Sequence, residues 1–346
     1  MSLRGSLEAR IAATGPITLA DYMAECLLHP EFGYYTTRDP FGTAGDFITA
    51  PEISQMFGEL IGLSLAQTWL DQGAPPAFVL AELGPGRGTL MADLLRATRA
   101  VPGFHAALRV VLVEASPLLR ARQRQALDEY QVSWCGDVAQ LPQAPLFIVA
   151  NEFFDALPIR SFQRAGAGWR ERMVGPGLRP GLSPVAEVAP LRHRLDVAEG
   201  QIVELRPQAP AIMAEIAGRI ARHGGAAWIV DYGGWGSLGD TFQALRANAF
   251  TDPFADPGQA DLTAHVDFQA LASGLSVNHA YKTQGAFLTS LGIAARAARL
   301  ATGLTGAALQ SHLAATRRLI DDGEMGTLFK LLALYPSTSQ PPAGSA

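Results

Sequence analysis

The chain has 346 residues, 48% of them hydrophobic, with a formal net charge of −5 and a pI near 5.8. That is enough apolar material for one large core or two, and an acidic balance without any run of Lys and Arg argues against a phosphate-binding nucleic-acid surface. No apolar stretch reaches the roughly 18 residues of a bilayer span, and Cys26 and Cys135 stand far apart with neither a C-x-x-C nor His at ligand spacing, so neither membrane insertion nor a metal is expected and a reducing compartment is.

The opening, MSLRGSLEARIAATGPITLADYM, lacks the apolar segment of a secretory signal. Residues 17–28 (ITLADYMAECLL) carry apolar side chains at helical spacing, with Thr18 placed as a cap ahead of Asp21. A glycine-bearing loop follows at 41–51, then a long amphipathic helix at 54–70. Residues 1–75 thus read as a helical arm able to cover a ligand bound at a sheet edge. Asp46 and Glu52 could reach that ligand, although Glu52 could equally be a first-turn acid facing its own helix dipole.

Residues 78–95 read FVLAELGPGRGTLMADLL: an apolar strand ending in Glu82, then alternating Gly84, Gly86 and Gly88, then a helical pattern. Glycine takes positive φ without steric cost and lets backbone N–H groups approach a ligand, so this is a strand feeding a cofactor loop and an electropositive helix N-terminus. A dinucleotide G-x-G-x-x-G would put its third glycine at 89, where this chain has Thr. Glu82 suits a ligand carrying an ammonium group and repels a pyrophosphate. The spacing points to an adenosyl cofactor.

The next strand, 109–113 (RVVLV), ends in Glu114, which can accept from both ribose hydroxyls; dinucleotide folds place a similar acid about 20 residues after the loop, so Glu114 supports adenosine more firmly than it excludes NAD. A third strand, 132–135, leads to Asp137, placed to accept from an adenine amino group. A fourth, 146–150 (LFIVA), opens into Asn151, Glu152, Phe153, Phe154 and Asp155, over the crevice where parallel sheets bind ligands. Any one of these acids could be a helix cap or a solvated charge. Their shared position after successive apolar strands argues for a site.

Residues 159–225 exceed what a plain core needs before the fifth strand at 226–230. They hold a strand pair (159–162, 169–174), the stretch GPGLRPGLSP, a strand at 202–205 and a helix at 209–223. They read as a substrate platform or, equally, a dimer surface. Asp231 ends the fifth strand. The formal G-x-G-x-x-G at Gly234, Gly236 and Gly239 is discounted because 240–249 is not a clear helix start. A sixth strand at 277–281, helices over 287–320, a seventh strand at 328–334 and a disordered tail at 336–346 complete the reading, with 76–335 as the core and 283–325 as a helical insertion in it.

Taken together, GDFITAPEISQMFGELIG (45–62), ELGPGRGTLMADLL (82–95), NEFFDALPI (151–159), DYGGWG (231–236), DPGQADLTAHVDF (256–268) and TQGAFLTSLGI (283–293) resemble the class I S-adenosylmethionine-dependent methyltransferases, and within them the mitochondrial complex I assembly methyltransferase family, also called mitochondrial dysfunction protein A. The resemblance spans about residues 15–335. It implies an α/β, Rossmann-like class I methyltransferase sheet, mostly parallel and seven-stranded, with an N-terminal helical arm and a large insertion between strands 4 and 5. It implies S-adenosyl-L-methionine as cofactor, held by Glu82, Gly84, Gly86, Gly88, Glu114, Asp137 and Asn151. It further implies symmetric methylation of an arginine on a respiratory complex I subunit, with Glu152 and Asp155 leading as catalytic carboxylates and Asp46 and Asp231 behind them. A homodimer is compatible.

Three positions depart from the family pattern: Asn248 near an expected histidine, and Gln259 and Ala286 where glutamates are expected. Because the resemblance starts so early, little chain remains for a transit peptide, which favours a bacterial cytoplasmic protein; a eukaryotic one would act in the mitochondrial matrix. The alternatives are a non-catalytic assembly factor that retains the cofactor pocket and, less favoured by Thr89 and Glu82, a dinucleotide oxidoreductase. Hydrolase chemistry has no G-x-S-x-G to stand on.

Overall fold

Short apolar runs flanked by helices bury both faces only in a parallel sheet sandwiched between helical layers. The computed structural model describes residues 2–38, 48–194, 196–236 and 238–346, which fall into two units. The larger comprises Ile48–Phe154, Ala211–Gly234 and Phe268–Ala346. Its main elements in chain order are α1 (Gln55–Asp71), β1 (Phe78–Leu83), α2 (Thr89–Thr98), β2 (Leu108–Val113), α3 (Pro117–Ala126), β3 (Val132–Cys135), β4 (Leu146–Asn151), α4 (Ala209–His223, belonging here from Ala211), β5 (Gly225–Gly234), β6 (Asn278–Thr283), α5 (Gln284–Ser290), α6 (Ile293–Ala301), α7 (Gly306–Ile320) and β7 (Phe329–Tyr335), with shorter helical turns between them.

The strand path is β6-β7-β5-β4-β1-β2-β3. Pairings from β5 through β3 are parallel, whereas β7 runs antiparallel to both β5 and β6. β1 and β4 are buried at every position, as their uninterrupted apolar runs require. After β3 the chain returns across the sheet to lay β4 on the other side of β1, and this reversal opens a crevice at their carboxyl ends.

α1 and α2 pack on one face of the sheet with Phe78, Leu80, Val110, Leu112, Phe147 and Val149. Two glycines make the helix contact possible: a Cβ at Gly58 would lie 2.7 Å from Asp93 Cβ, and one at Gly62 would lie 3.0 Å from Leu94 Cα. The helix is not the amphipathic element expected at 54–70, since every residue from Met56 to Gly62 is buried. Its buried charge, Glu59, is paired with Arg96 at 3.1 Å and with Arg296 at 2.8 and 2.9 Å.

The tail expected to be disordered packs instead. Trp228 Nε1 donates to Ser64 Oγ at 3.1 Å, Ser64 donates to Ala343 O at 2.6 Å, and Ser290 donates to Gly344 O at 2.8 Å. These polar contacts, with Ser345 at 3% exposure, hold a segment whose composition alone suggests none. The helical stretch expected at 287–320 is three helices, broken at Gly292 and around Gly303, both at positive φ.

The smaller unit takes the described residues 2–38 with Asp155–Pro210 and Trp235–Asp267, so the stretch 1–75, read as one arm, is divided between the units. Thr18 caps the helix Leu19–Leu28 through a capping box with Asp21, as its sequence predicts. A five-stranded sheet contains Ile17–Thr18, Gly168–Gly175, Arg160–Ala165 and Ile202–Leu205 in that order, with Arg179–Leu182 alongside Gly168–Gly175. Gln243–Arg246 pairs with Ala249–Thr251 and Asp261–Thr263. The glycines at 234–239 therefore lead into a hairpin, whose turn residues Ala247 and Asn248 take the φ of 51° and 60° that such turns require. Among the described residues no helix is long and apolar enough to cross a membrane.

Candidate active site

The crevice at the ends of β1 and β4, within the larger unit, is built by register. Glu82 pairs with Leu112 on one side and Val149 on the other, so its side chain emerges from the apolar face of the sheet. Asn151, two residues beyond Val149, shares that face on the neighbouring strand. Both are buried, at 3% and 8% exposure, and each keeps an acceptor without a hydrogen-bond partner, Glu82 Oε2 and Asn151 Oδ1. The Asn151 amide is oriented by its donation from Nδ2 to Glu152 Oε1 at 3.1 Å, which leaves Oδ1 as the open atom. Buried acceptors are rarely left unpaired, and two on adjacent strand ends suit a ligand that brings donors.

Burial, and secondarily the nearby Glu114 carboxylate, push Glu82 up from its ordinary 4.5 to about 8. Glu114 is itself raised by burial. A raised carboxyl pKa means that the folded chain holds a proton the unfolded chain has released, so the contribution of Glu82 to stability is fully present below about 4.5 and is lost as pH rises towards about 8. We expect urea unfolding of the ligand-free protein to show a lower midpoint at pH 8.5 than at pH 5.5, and Glu82→Gln to remove part of that difference. Identical pH slopes for the two proteins would show that Glu82 is ionised in the fold.

The loop has the expected geometry. Gly84, Gly86 and Gly88 take φ of 58°, 53° and 87°, and a Cβ at Gly84 would meet Phe153 Cδ2 at 3.0 Å. Gly84 N donates to Val113 O at 3.0 Å, tying the loop to β2, and Gly88 opens α2 with no side-chain cap. Thr89, the residue in place of a dinucleotide glycine, donates to Glu52 Oε1 at 2.6 Å. Glu52 thus reaches the start of α2 in addition to lying in the first turn of its own short helix, Ala50–Ile53.

Glu114 is 9% exposed; its Oε1 accepts from Ser116 N at 2.7 Å and its Oε2 from Gln123 Nε2 at 3.2 Å. Gln123 carried no signal in the sequence beyond its place on the helix after β2. It is fully buried, also donates to Gly86 O at 2.8 Å, and accepts from Trp134 Nε1 at 2.8 Å.

The other expected residues are spread more widely. Glu152 follows β4 with φ of 51°, a left-handed conformation rare for a residue with a long side chain, and its Oε1 also accepts from Ala50 N at 3.3 Å. Asp231 lies inside β5 rather than at its end; it is fully buried and accepts from Phe154 N at 3.1 Å and from Tyr232 N at 2.9 Å, so it braces the turn after β4. Asp137 is exposed and caps a short 3-10 turn through Ala139 N at 2.8 Å, the role open to it as an isolated acid. Asp46 lies outside the described residues. Asp155 belongs to the smaller unit, where it is 5% exposed and its carbonyl accepts from Ala264 N at 3.1 Å. In that unit Tyr35 donates to Asp261 at 2.7 Å, and burial followed by the charges of Asp261 and Asp155 pushes the phenol up. Neither Tyr35 nor Asp261 was singled out by spacing, although Asp261 sits in the ADLTAHVDF motif.

Residues 60–287 match the family model described as "Putative S-adenosyl-L-methionine-dependent methyltransferase". The chain is similar to the human "Protein arginine methyltransferase NDUFAF7, mitochondrial", at 37% identity covering 94% of this chain and 82% of that one. It is 35% identical to the Drosophila melanogaster homolog of the same enzyme, over 97% of this chain and 85% of the relative. A crystal structure from Burkholderia thailandensis bound to S-adenosyl-homocysteine superimposes with a TM-score of 0.84 at 30% identity, covering 99% of this chain and 94% of the other.

Proposed function

Because the chain belongs to the S-adenosyl-L-methionine-dependent methyltransferase family, we propose that it methylates an arginine of a protein, symmetrically and on a respiratory complex I subunit during assembly. The observation that carries the cofactor assignment is the pair of open buried acceptors, Glu82 Oε2 and Asn151 Oδ1, beside three left-handed glycines. The arginine assignment rests on the relatives that bear that activity in their names. We read the sheet as the seven-stranded class I arrangement, with residues between β4 and β5 on the substrate side, and place the protein in a bacterial cytoplasm, or in the matrix of a eukaryote.

The cofactor supplies a methyl group as the electrophilic carbon of a sulfonium. Glu82 and Asn151 would hold its donors, Glu114 the ribose hydroxyls, and the glycine backbone its close approach at the mouth of α2. Asp137 remains the candidate for the adenine amino group. An arginine acceptor is protonated at neutral pH, with a pKa above about 12. Carboxylates must therefore draw the guanidinium charge away from one nitrogen and take its proton late, and burial makes that attraction stronger than it would be in water. Glu152 leads for this task, followed by Asp155 and Asp46, while Asp231 positions the turn that carries Glu152.

Incubation with methyl-labelled cofactor and complex I subunits tests the assignment. Label recovered as symmetric dimethylarginine after acid hydrolysis is the expected result. Binding of cofactor with no label in protein would make the chain a non-catalytic assembly factor, and label on lysine would replace the acceptor.

A further inference from the structure

Gln123 joins three parts of the cofactor region through one amide. Trp134 Nε1 can only donate, so the Gln123 oxygen must face it, at 2.8 Å. That fixes the amide nitrogen on the opposite side, where its two hydrogens go to Gly86 O at 2.8 Å and Glu114 Oε2 at 3.2 Å. The amide is fully buried. It cannot flip without setting its oxygen against a carbonyl and a carboxylate, at a cost that a low-dielectric surrounding enlarges. The opposite end of the chain of contacts is also held: Arg124 stacks over the Trp134 ring at 4.9 Å.

Glu114 is thereby clamped at both oxygens, by Ser116 N and by Gln123, before any ligand arrives. A carboxylate meant to accept from two vicinal hydroxyls gains from such a clamp, since the entropy of orienting it is spent in folding rather than in binding. The Gly86 carbonyl is fixed by the same amide, which couples the loop's conformation to the carboxylate's.

We infer that Gln123, oriented by Trp134, is a positioning residue for the nucleoside end of the cofactor, acting through Glu114 and the Gly86 carbonyl. This rests on the assignment of Glu114 to the cofactor pocket given above. The role differs from that of a core residue in one measurable respect: its effect on binding depends on Glu114 being present.

Calorimetric titration of the full chain with S-adenosyl-L-homocysteine tests it. Gln123→Met keeps the volume and removes the hydrogen bonds, and should weaken binding about tenfold, the loss expected when a hydrogen bond to a charged group is removed. In the Glu114→Ala background the same substitution should cost about twofold or less, because contacting residues couple in such cycles. Trp134→Phe, which spares Gln123 and frees only its amide, should weaken binding by a few-fold with an unchanged circular dichroism spectrum; it serves as the reporter should Gln123→Met fail to fold. An equal factor for Gln123→Met in both backgrounds, or affinities unmoved by Gln123→Met or by Trp134→Phe, overturns the inference and leaves the cofactor assignment standing. No binding by the wild type would overturn both.

Discussion

Glu152→Gln will leave S-adenosyl-homocysteine affinity within about twofold of the wild type while slowing methyl transfer by a factor on the order of 10² to 10³, the range seen when one preorganised electrostatic group is removed from a reacting centre. The expectation follows from how the side chain is held. Its Oε1 accepts from Ala50 N and from Asn151 Nδ2, and a glutamine oxygen in the same rotamer accepts from both. Shape and both contacts of Oε1 are therefore retained while the negative charge is removed. The backbone at 152 gives a second reason to place function here. Its φ of 51° costs about 1–2 kcal/mol for an L-residue with a Cβ, and glycine would avoid that cost. A position that carries strain and also a carboxylate beside the crevice of a parallel sheet is better explained by chemistry than by stability. Single-turnover transfer of labelled methyl, with affinity measured separately, separates the two effects. A rate within a few-fold of the wild type would remove Glu152 from the acceptor site and leave Asp155 and Asp46 to account for the reaction.

The strand, the left-handed glycine turn and the buried acid of this candidate site were legible because their determinants are local. A strand that must be buried on both faces, an acid at its end and glycines at alternate positions are all written within residues 78–88. The structure keeps Glu82, Gly84, Gly86, Gly88, Glu114, Asn151 and Glu152 within one unit. What escaped was set by contacts distant in sequence. Gln123 looks like any glutamine on a helix until Trp134, 11 residues later, turns its amide. The tail's composition suggests disorder, yet Ser64 reaches it across 279 residues. Asp137 was legible as an acid after an apolar strand, whereas the capping of the turn beside it by its carboxylate was not. Its exposure follows from the open edge of the sheet at β3, which residue order alone does not reveal.

Gly86→Val should all but abolish cofactor binding, with affinity for S-adenosyl-homocysteine reduced on the order of a hundredfold or more, because two separate costs meet at one residue. First, φ at 86 is 53°, where a β-branched side chain is a steric outlier, so the loop must either carry that strain or move to negative φ. Second, movement is not free: the Gly86 carbonyl is held by Gln123 at 2.8 Å, Gly84 N ties the loop to Val113 O at 3.0 Å, and Gly88 N closes the turn onto Pro85 O at 2.7 Å. Relaxing 86 therefore withdraws the Gln123 amide from its carbonyl and disturbs Glu114 through the same nitrogen. Gly86→Ala separates the two costs, since alanine tolerates left-handed φ better than valine and projects less bulk. It should fall between wild type and valine in affinity. Far-ultraviolet circular dichroism and a urea midpoint must accompany the titration, so that lost binding is not confused with an unfolded chain. A folded Gly86→Val protein that binds S-adenosyl-homocysteine as tightly as the wild type would mean that the nucleoside does not pass over this loop, and the pocket would then have to be sought away from the β1 carboxyl end.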